Sequence, residues 1–287
     1  MYWFKNTIIC QMNTINCKGK LLSLEKPVVM GIVNATPDSF YEGHLDKGLN
    51  AIVHLAEKMI EQGAAIIDIG GQSTRPGSER INADEELKRV LPVIESLVKK
   101  FPGTFISIDT YHSEVAKQAV HAGAHIVNDI SAGSMDAAMI PTVAAFKNVP
   151  YICMHMKGEP QHMQDLAVYE DVVKEVLDFF IIKTEACRLA GINDVIIDPG
   201  FGFAKNSSHN FTLLKNLAIF KMLHRPILAG LSRKATVYKT LGITAAEALN
   251  GTTVLNTIAL MNGANILRVH DVKEAREAVE LVNALNS

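Results

Sequence analysis

The feature that most restricts this chain is a series of short apolar, β-branched runs, each closed on its C-terminal side by a polar residue. "PVVMGIVN" ends at Asn34, "AAIIDIGG" carries Asp68, "TFISID" ends at Asp109, and "AHIVND" ends at Asn128 and Asp129. "VPYICMH" ends at His155, "DVIID" at Asp198 and "PILAGLS" at Ser232, while "ANILRVH" holds Arg268 and His270. Continuous apolar runs of this length suit strands covered on both faces, the condition of a parallel sheet. Between them lie segments such as "GLNAIVHLAEKMIEQG", "NADEELKRVLPVIESLVKK" and "YEDVVKEVLDFFIIKTEACRLAG". Their apolar residues recur at i, i+3, i+4 and i+7, the spacing of amphipathic helices, with glycine near several ends. Strand and helix alternate eight times, which predicts an α/β fold, a (β/α)8 TIM barrel, over residues 28–287. Residues 1–27 form a short N-terminal extension whose stretch "TIICQMNTINCKGKLLSL" predicts a hairpin plugging the barrel bottom.

In such a barrel the C-terminal strand ends converge on one mouth, so the polar closures would meet there. Any single Asp or Ser after a strand serves equally well as the cap of the next helix; eight together are hard to explain as caps. Composition narrows the chemistry. With 287 residues, 48% hydrophobic, the chain can bury one large core. The net charge of -2, with Lys and Arg scattered, offers no footprint for nucleic acid or an anionic membrane, leaving small-molecule work. No window approaches the roughly 18 apolar residues of a membrane span, and "MYWFKNTIIC" is no signal peptide. Cys10, Cys17, Cys153 and Cys187 make no C-x-x-C pair, which fits a reducing, cytoplasmic setting.

Several groups of residues carry candidate chemistry. Asn34 opens the turn-rich loop "NATPDSF" and offers either a helix cap or a neutral oxygen for a hard cation such as Mg²⁺. The loop "GGQSTRPGSER" opens on two glycines and presents the hydroxyls of Ser73 and Thr74, Arg75 and a Pro-Gly turn, a composition suited to a phosphorylated ligand, though without the G-x-x-x-x-G-K-[ST] spacing of a P-loop. Asp109, Asn128 and Asp198 point to a flat heterocycle rich in N–H donors, since charge-assisted hydrogen bonds contribute about 1.5 to 3 kcal/mol each. Paired acids also serve glycoside hydrolysis, but that chemistry needs neither basic strand ends nor a glycine–phenylalanine loop. "GLSRKATVY" supplies Ser232, Arg233 and Lys234; Arg268 and His270, two apart on one strand, resemble the phosphate corner that barrels build after their last two strands. In "VIIDPGFGFAKN", Asp198 would grip the heterocycle, Gly200 and Gly202 would let backbone pass close to it, and Phe201 or Phe203 would wall a second, aromatic substrate. The third glycine of a dinucleotide fingerprint is missing.

The ordered motifs "GIVNATPDSF", "GGQSTRPGSE", "SIDTY", "IVNDIS", "MHMKGEPQHMQ", "IIDPGFGFAKN", "GLSRKA" and "LRVHDV" closely resemble those of the dihydropteroate synthase family, from about Val28 to the C-terminus. Ala35 stands where that family often has Val, and Gln72 where it often reads Gly-Gly-Glu. The resemblance implies a (β/α)8 barrel, commonly a homodimer, that uses Mg²⁺ and is the sulfonamide target. It implies condensation of 6-hydroxymethyl-7,8-dihydropterin diphosphate with 4-aminobenzoate to 7,8-dihydropteroate and pyrophosphate in folate biosynthesis. By motif, Asp109, Asn128, Asp198 and Lys234 would bind the pterin, Asn34 would help hold Mg²⁺, and Thr74, Arg75, Arg268 and His270 would attend the diphosphate. Phe203 and Ser232 would shape the aminobenzoate pocket. Asn34, Asp109, Lys234 and Arg268 are the expected catalytic groups. Two rivals remain: a pterin-binding methyltransferase acting on methyltetrahydrofolate, which has no need of the Ser-Thr-Arg-Pro-Gly loop, and a silent pterin-binding protein, which has no need to retain Asn34, Arg268 and His270.

Overall fold

A computed structural model describes residues 14–35, 45–72, 80–159 and 163–287. Thr14–Cys17 (β1) and Lys20–Ser23 (β2) pair antiparallel. Lys18 and Gly19 join them at φ 55° and 90°, the left-handed pair that a two-residue type I′ turn needs. The chain then enters Val28–Asn34 (β3) and Leu45–Glu61 (α1), Ile66–Gly70 (β4) and Ala83–Lys100 (α2), Phe105–Asp109 (β5) and Ser113–His121 (α3). Ile126–Asp129 (β6) and Met139–Ala145 (α4) follow, then Tyr151–Met154 (β7) and Val172–Ala190 (α5), and Val195–Asp198 (β8) and Ser207–Lys215 (α6). Leu228–Ala229 (β9) leads to Ala235–Leu241 (α7) and Leu249–Met261 (α8), and Ile266–Val269 (β10) to Val272–Asn286 (α9).

The eight strands β3 to β10 form one parallel sheet in the order β8-β7-β6-β5-β4-β3-β10-β9. A parallel bridge between Ile197 and Ile227 closes the ring, and Ile197 N–H donates to Pro226 O at 2.9 Å. This is the expected (β/α)8 barrel. The seventh barrel strand is shorter than its sequence run, since only Leu228 and Ala229 keep the ladder before the chain turns away at Gly230.

Strand parity divides the apolar residues into two shells. One, including Val33, Ile67, Ile69, Ile106, Ile108 and Val127, packs outward against the helices. The other, with Met30, Ile66, Ile126, Ile152, Ile196, Leu228 and Ile266 all wholly buried, fills the barrel interior. Each such side chain contributes about 1.5–3 kcal/mol of burial. Ile15, Cys17, Leu22 and Leu24 of the hairpin join this inner cluster from below, so the hairpin seals the barrel floor. Asn16 N–H donating to Asp194 Oδ2 at 3.1 Å and Lys18 N–H donating to Asn148 O at 2.6 Å pin it there.

Candidate active site

One step above the apolar layer the inward positions turn polar. The register aligns Asp109 with Gly70 and with Asn128, Asp198 with Met154, and Arg268 with Met30, and parity turns Asp68, Asp109, Asn128, Asp198 and Arg268 to the inward side. Arg268 divides its guanidinium: Nε donates to Asp68 Oδ2 and Nη2 to Asp109 Oδ2, both at 2.6 Å. Asn128 Nδ2 donates to the same Asp68 oxygen at 3.0 Å. Asp68 is wholly buried and its Oδ1 is without a protein partner among the described residues. Burial alone would disfavour the Arg268 charge, but Asp68 and Asp109, with Asp198 beyond, hold the guanidinium more firmly protonated than an ordinary arginine. Burial pushes the Asp109 carboxyl up to about 7 against the pull of Arg268, with Asp68, Asp129 and Asp198 adding repulsion.

The next two strands bring the lysines. Asp198 Oδ1 accepts the Gly200 N–H at 2.8 Å, and burial raises its carboxyl against the pull of Lys234. Lys234 Nζ donates to Phe201 O and stands over the Phe203 ring at 4.7 Å from its centroid. Burial lowers that ammonium to about 8, with Asp198 acting the other way. At the neighbouring corner Ser232 Oγ and His270 Nδ1 are 3.0 Å apart, and His270 N–H donates to Ser232 Oγ at 3.2 Å. Arg233, adjacent in sequence, turns away: its Nε and Nη2 grip Asp271 at 2.8 and 2.9 Å, and Nη1 donates to Ala245 O and Ala246 O.

The family model for pterin binding enzymes matches residues 30–270. Dihydropteroate synthase from Escherichia coli (strain K12) is 45% identical over 269 residues, covering 93% of this chain and 94% of that protein. The chain belongs to the dihydropteroate synthase family. Its activity is that of these transferases of folate synthesis, joining 6-hydroxymethyl-7,8-dihydropterin diphosphate to 4-aminobenzoate. Xanthomonas albilineans dihydropteroate synthase, solved with 4-aminobenzoic acid, superposes with a TM-score of 0.89 at 39% identity, over 96% of this chain and 98% of that one. The Yersinia pestis enzyme, solved with a sulfonamide drug, gives 0.89 at 40% identity, over 95% and 99%.

Of the residues expected from sequence, this dihydropteroate synthase fold brings Asp109, Asn128, Asp198, Phe203, Ser232, Lys234, Arg268 and His270 to the C-terminal end of the barrel. Asn34 ends β3 at the rim: a Cβ built on Gly70 would lie 3.7 Å from Asp109 Oδ2 and 3.9 Å from Asn34 Oδ1, so two oxygens flank that bare α-carbon. Thr74 and Arg75 lie outside the described residues. Gly200 is glycine for an internal reason: at φ +69° its Cβ would meet His155 O at 2.0 Å, so the turn by itself forbids a side chain there.

Three components were missed in the sequence. Asp68 counts among the polar strand closures but carries no assigned role in the sequence, although its parity with Gly70 puts it inward below the rim. A third apolar cluster at the mouth joins Tyr111, Ile130, Met154, Met156 and Met163 to Ala204, with Met135 and Phe203 packed against it. Met154 ends β7 and Met156 and Met163 follow it before α5, while Tyr111, Ile130 and Ala204 come from other strand ends, so the cluster forms only when the barrel closes; thioether side chains can adapt to a flat ring. Lys205, in "FGFAKN", is 3% exposed, where a lysine after an aromatic loop reads as a surface residue.

Proposed function

We propose that Asp109, Asn128, Asp198 and Lys234 hold the dihydropterin, that Arg268 and His270 with Thr74 and Arg75 take the diphosphate, and that Phe203 and Ser232 form the aminobenzoate side. The observation that carries this reading is the guanidinium of Arg268 divided between Asp68 and Asp109 on neighbouring strands. It fixes Asp109 facing the mouth, beside a carboxamide and within electrostatic reach of Asp198. Two carboxylates and an amide oxygen accept from an amino-heterocycle, and Lys234 donates to its acceptor atoms.

The reaction expels pyrophosphate from the methylene carbon and forms a bond to the arylamine nitrogen. An arylamine is already a nucleophile, so positioning and electrostatic stabilisation do most of the acceleration. As the leaving group departs, positive charge spreads into the dihydropterin ring. Asp109 is repelled by Asp68, Asp129 and Asp198, so it gains most from a cation arising beside it. Arg268 and His270 sit where the departing diphosphate gathers negative charge. The Met154, Met156 and Phe203 wall keeps water from the carbon under attack.

The carboxamide oxygen of Asn34, beside Gly70 at the rim, suits Mg²⁺, a hard cation that takes few protein ligands and completes its shell with water and phosphate oxygens. Bound there, Mg²⁺ would neutralise charge on the diphosphate.

Residues 28–287 act as the pterin-binding barrel and 1–27 as its extension. An apolar stripe on α8, exposed at Val254, Ile258 and Met261 with Leu241 of α7 also exposed, supports a homodimer built on this side. A reducing cytoplasm suits the buried free thiols of Cys17, Cys153 and Cys187, and among the described residues no helix is long and apolar enough to cross a membrane. The test is to incubate the protein with the dihydropterin diphosphate and Mg²⁺, with and without 4-aminobenzoate, following dihydropteroate and pyrophosphate together. Arylamine-dependent, equimolar formation of both supports the reading. Pterin binding without product would favour the silent binder, and methyl transfer from methyltetrahydrofolate the methyltransferase.

A further inference from the structure

Between β8 and α6 the chain folds into a tight loop in which Gly200, Gly202 and Ala204 have φ of 69°, 83° and 48°. A left-handed alanine costs about 1–2 kcal/mol unless something else holds it. The carbonyls of such a loop turn inward, where they need donors. Tyr169 Oη donates to Ala204 O at 3.0 Å and Phe203 N–H to Gly200 O at 3.1 Å, and two lysines supply the rest. Lys234 takes Phe201 O. Lys205 Nζ, buried inside the turn, lies 3.1 Å from Gly200 O, 3.0 Å from Phe203 O, 3.3 Å from His155 O and 2.9 Å from His155 Nδ1. Burial holds the His155 imidazole neutral, with its pKa lowered to about 2, and the ammonium of Lys205 adds to that. Its Nδ1 is therefore an acceptor for Lys205, and its proton sits on Nε2. Burial lowers the Lys205 ammonium to about 7 against the pull of Asp198, and in its charged form it fills the place a bound cation would take among converging carbonyls.

The geometry points to Lys205 as a positioning residue for the arylamine: by gathering Gly200 O, Phe203 O and His155 O around one ammonium, it fixes the loop that presents Phe203 to the mouth. This rests on the aminobenzoate pocket proposed above. Lys205 acts through Phe203 and does not itself touch substrate. Its second effect is electrostatic, because Lys205 also lies within charge range of Asp198.

The test compares the wild type with Lys205→Met, which keeps length and loses every donor, and Lys205→Arg, which keeps charge and donors. Wild-type turnover is measured first, so a failure of the synthase reading shows before any variant is considered. We expect Lys205→Met to raise KM for 4-aminobenzoate at least about tenfold while its dihydropterin diphosphate Kd stays within about threefold, with Lys205→Arg recovering part of the KM. An unchanged arylamine KM in folded Lys205→Met overturns the assignment, as does an equal fall in all constants that Lys205→Arg does not relieve. If Lys205→Met does not fold, Lys205→Ala is assayed with propylammonium chloride against potassium chloride at equal ionic strength. An arylamine KM restored by the amine alone supports the assignment, and a KM indifferent to it overturns it.

Discussion

Asp68 and Asp109 take hydrogen bonds from two nitrogens of one guanidinium, that of Arg268, each at 2.6 Å. Asp68 is sealed from solvent while Asp109 faces the mouth. The buried acid therefore fixes the arginine, and the arginine aims the acid proposed to meet substrate. This arrangement makes Asp109 sensitive to a residue the substrate cannot reach.

Replacing Asp68 by Asn removes repulsion on Asp109, which burial and neighbouring acids push up to about 7. The acid limb of kcat/KM, which reports the free enzyme, should move to lower pH in Asp68→Asn. A limb at the same pH in both proteins would remove Asp109 as the titrating group.

Asp109→Asn keeps size and hydrogen-bonding reach but loses the charge. Turnover should fall by about 10² or more, with dihydropterin diphosphate affinity changing less than about tenfold. Parallel loss of kcat and binding would place Asp109 in ground-state binding instead.

Arg268→Ala leaves Asp68 buried without its cation. A stability loss of about 3–5 kcal/mol in denaturant is expected. Affinity for the diphosphate ligand should drop at least about tenfold, with less change for the pterin lacking phosphate. Equal diphosphate affinity in the two proteins would exclude Arg268 from that subsite.

Glu86 on α2 is buried, accepts from Thr110 Oγ1 at 3.1 Å, and its carboxyl is pushed up to about 8, chiefly by burial. The unfolded chain releases that proton near pH 4.3. Between those values the native state holds the extra proton, so stability falls as pH rises, by up to about 1.4 kcal/mol per unit. Glu86→Gln should remove this slope: its stability relative to wild type climbs from pH 5 to pH 8. A difference constant with pH would mean that Glu86 ionises normally.

Gly200→Ala drives a methyl against His155 O in a left-handed turn. A loss above about 2 kcal/mol is expected from strain alone, read as a drop in denaturation midpoint. A variant as stable as wild type would show that the turn can open.

Much of this was legible before the fold was seen, because period and parity are local. The runs carrying Asn34, Asp109, Asn128 and Asp198 became β3, β5, β6 and β8 at their predicted places, and alternation put those four residues inward. What stayed hidden depended on partners distant in sequence. Asp68 meets Arg268 across 200 residues, and only a closed ring makes those two strands near neighbours. Arg233 and Lys234 are adjacent in "SRK", yet a left-handed φ of 53° at Arg233 sends one to Asp271 and leaves the other at the mouth. Lys205 looks like a surface residue until the turn folds its carbonyls inward. The expected roles of Thr74 and Arg75 fall on residues outside those described.

The hairpin beneath the barrel decides how material moves. With Ile15, Cys17, Leu22 and Leu24 stopping the floor against the inner Met, Ile and Leu layer, the enzyme is a cup and not a tunnel. Two reactants arrive and two products depart by the same rim. With the dihydropterin in the seat proposed for it among Asp109, Asn128 and Asp198, the arylamine side at Phe203 would lie above it, so pyrophosphate or pteroate left at the rim would block the next cycle. Traffic in a cul-de-sac shares one door, so architecture bears on entry and exit before any rate constant is considered.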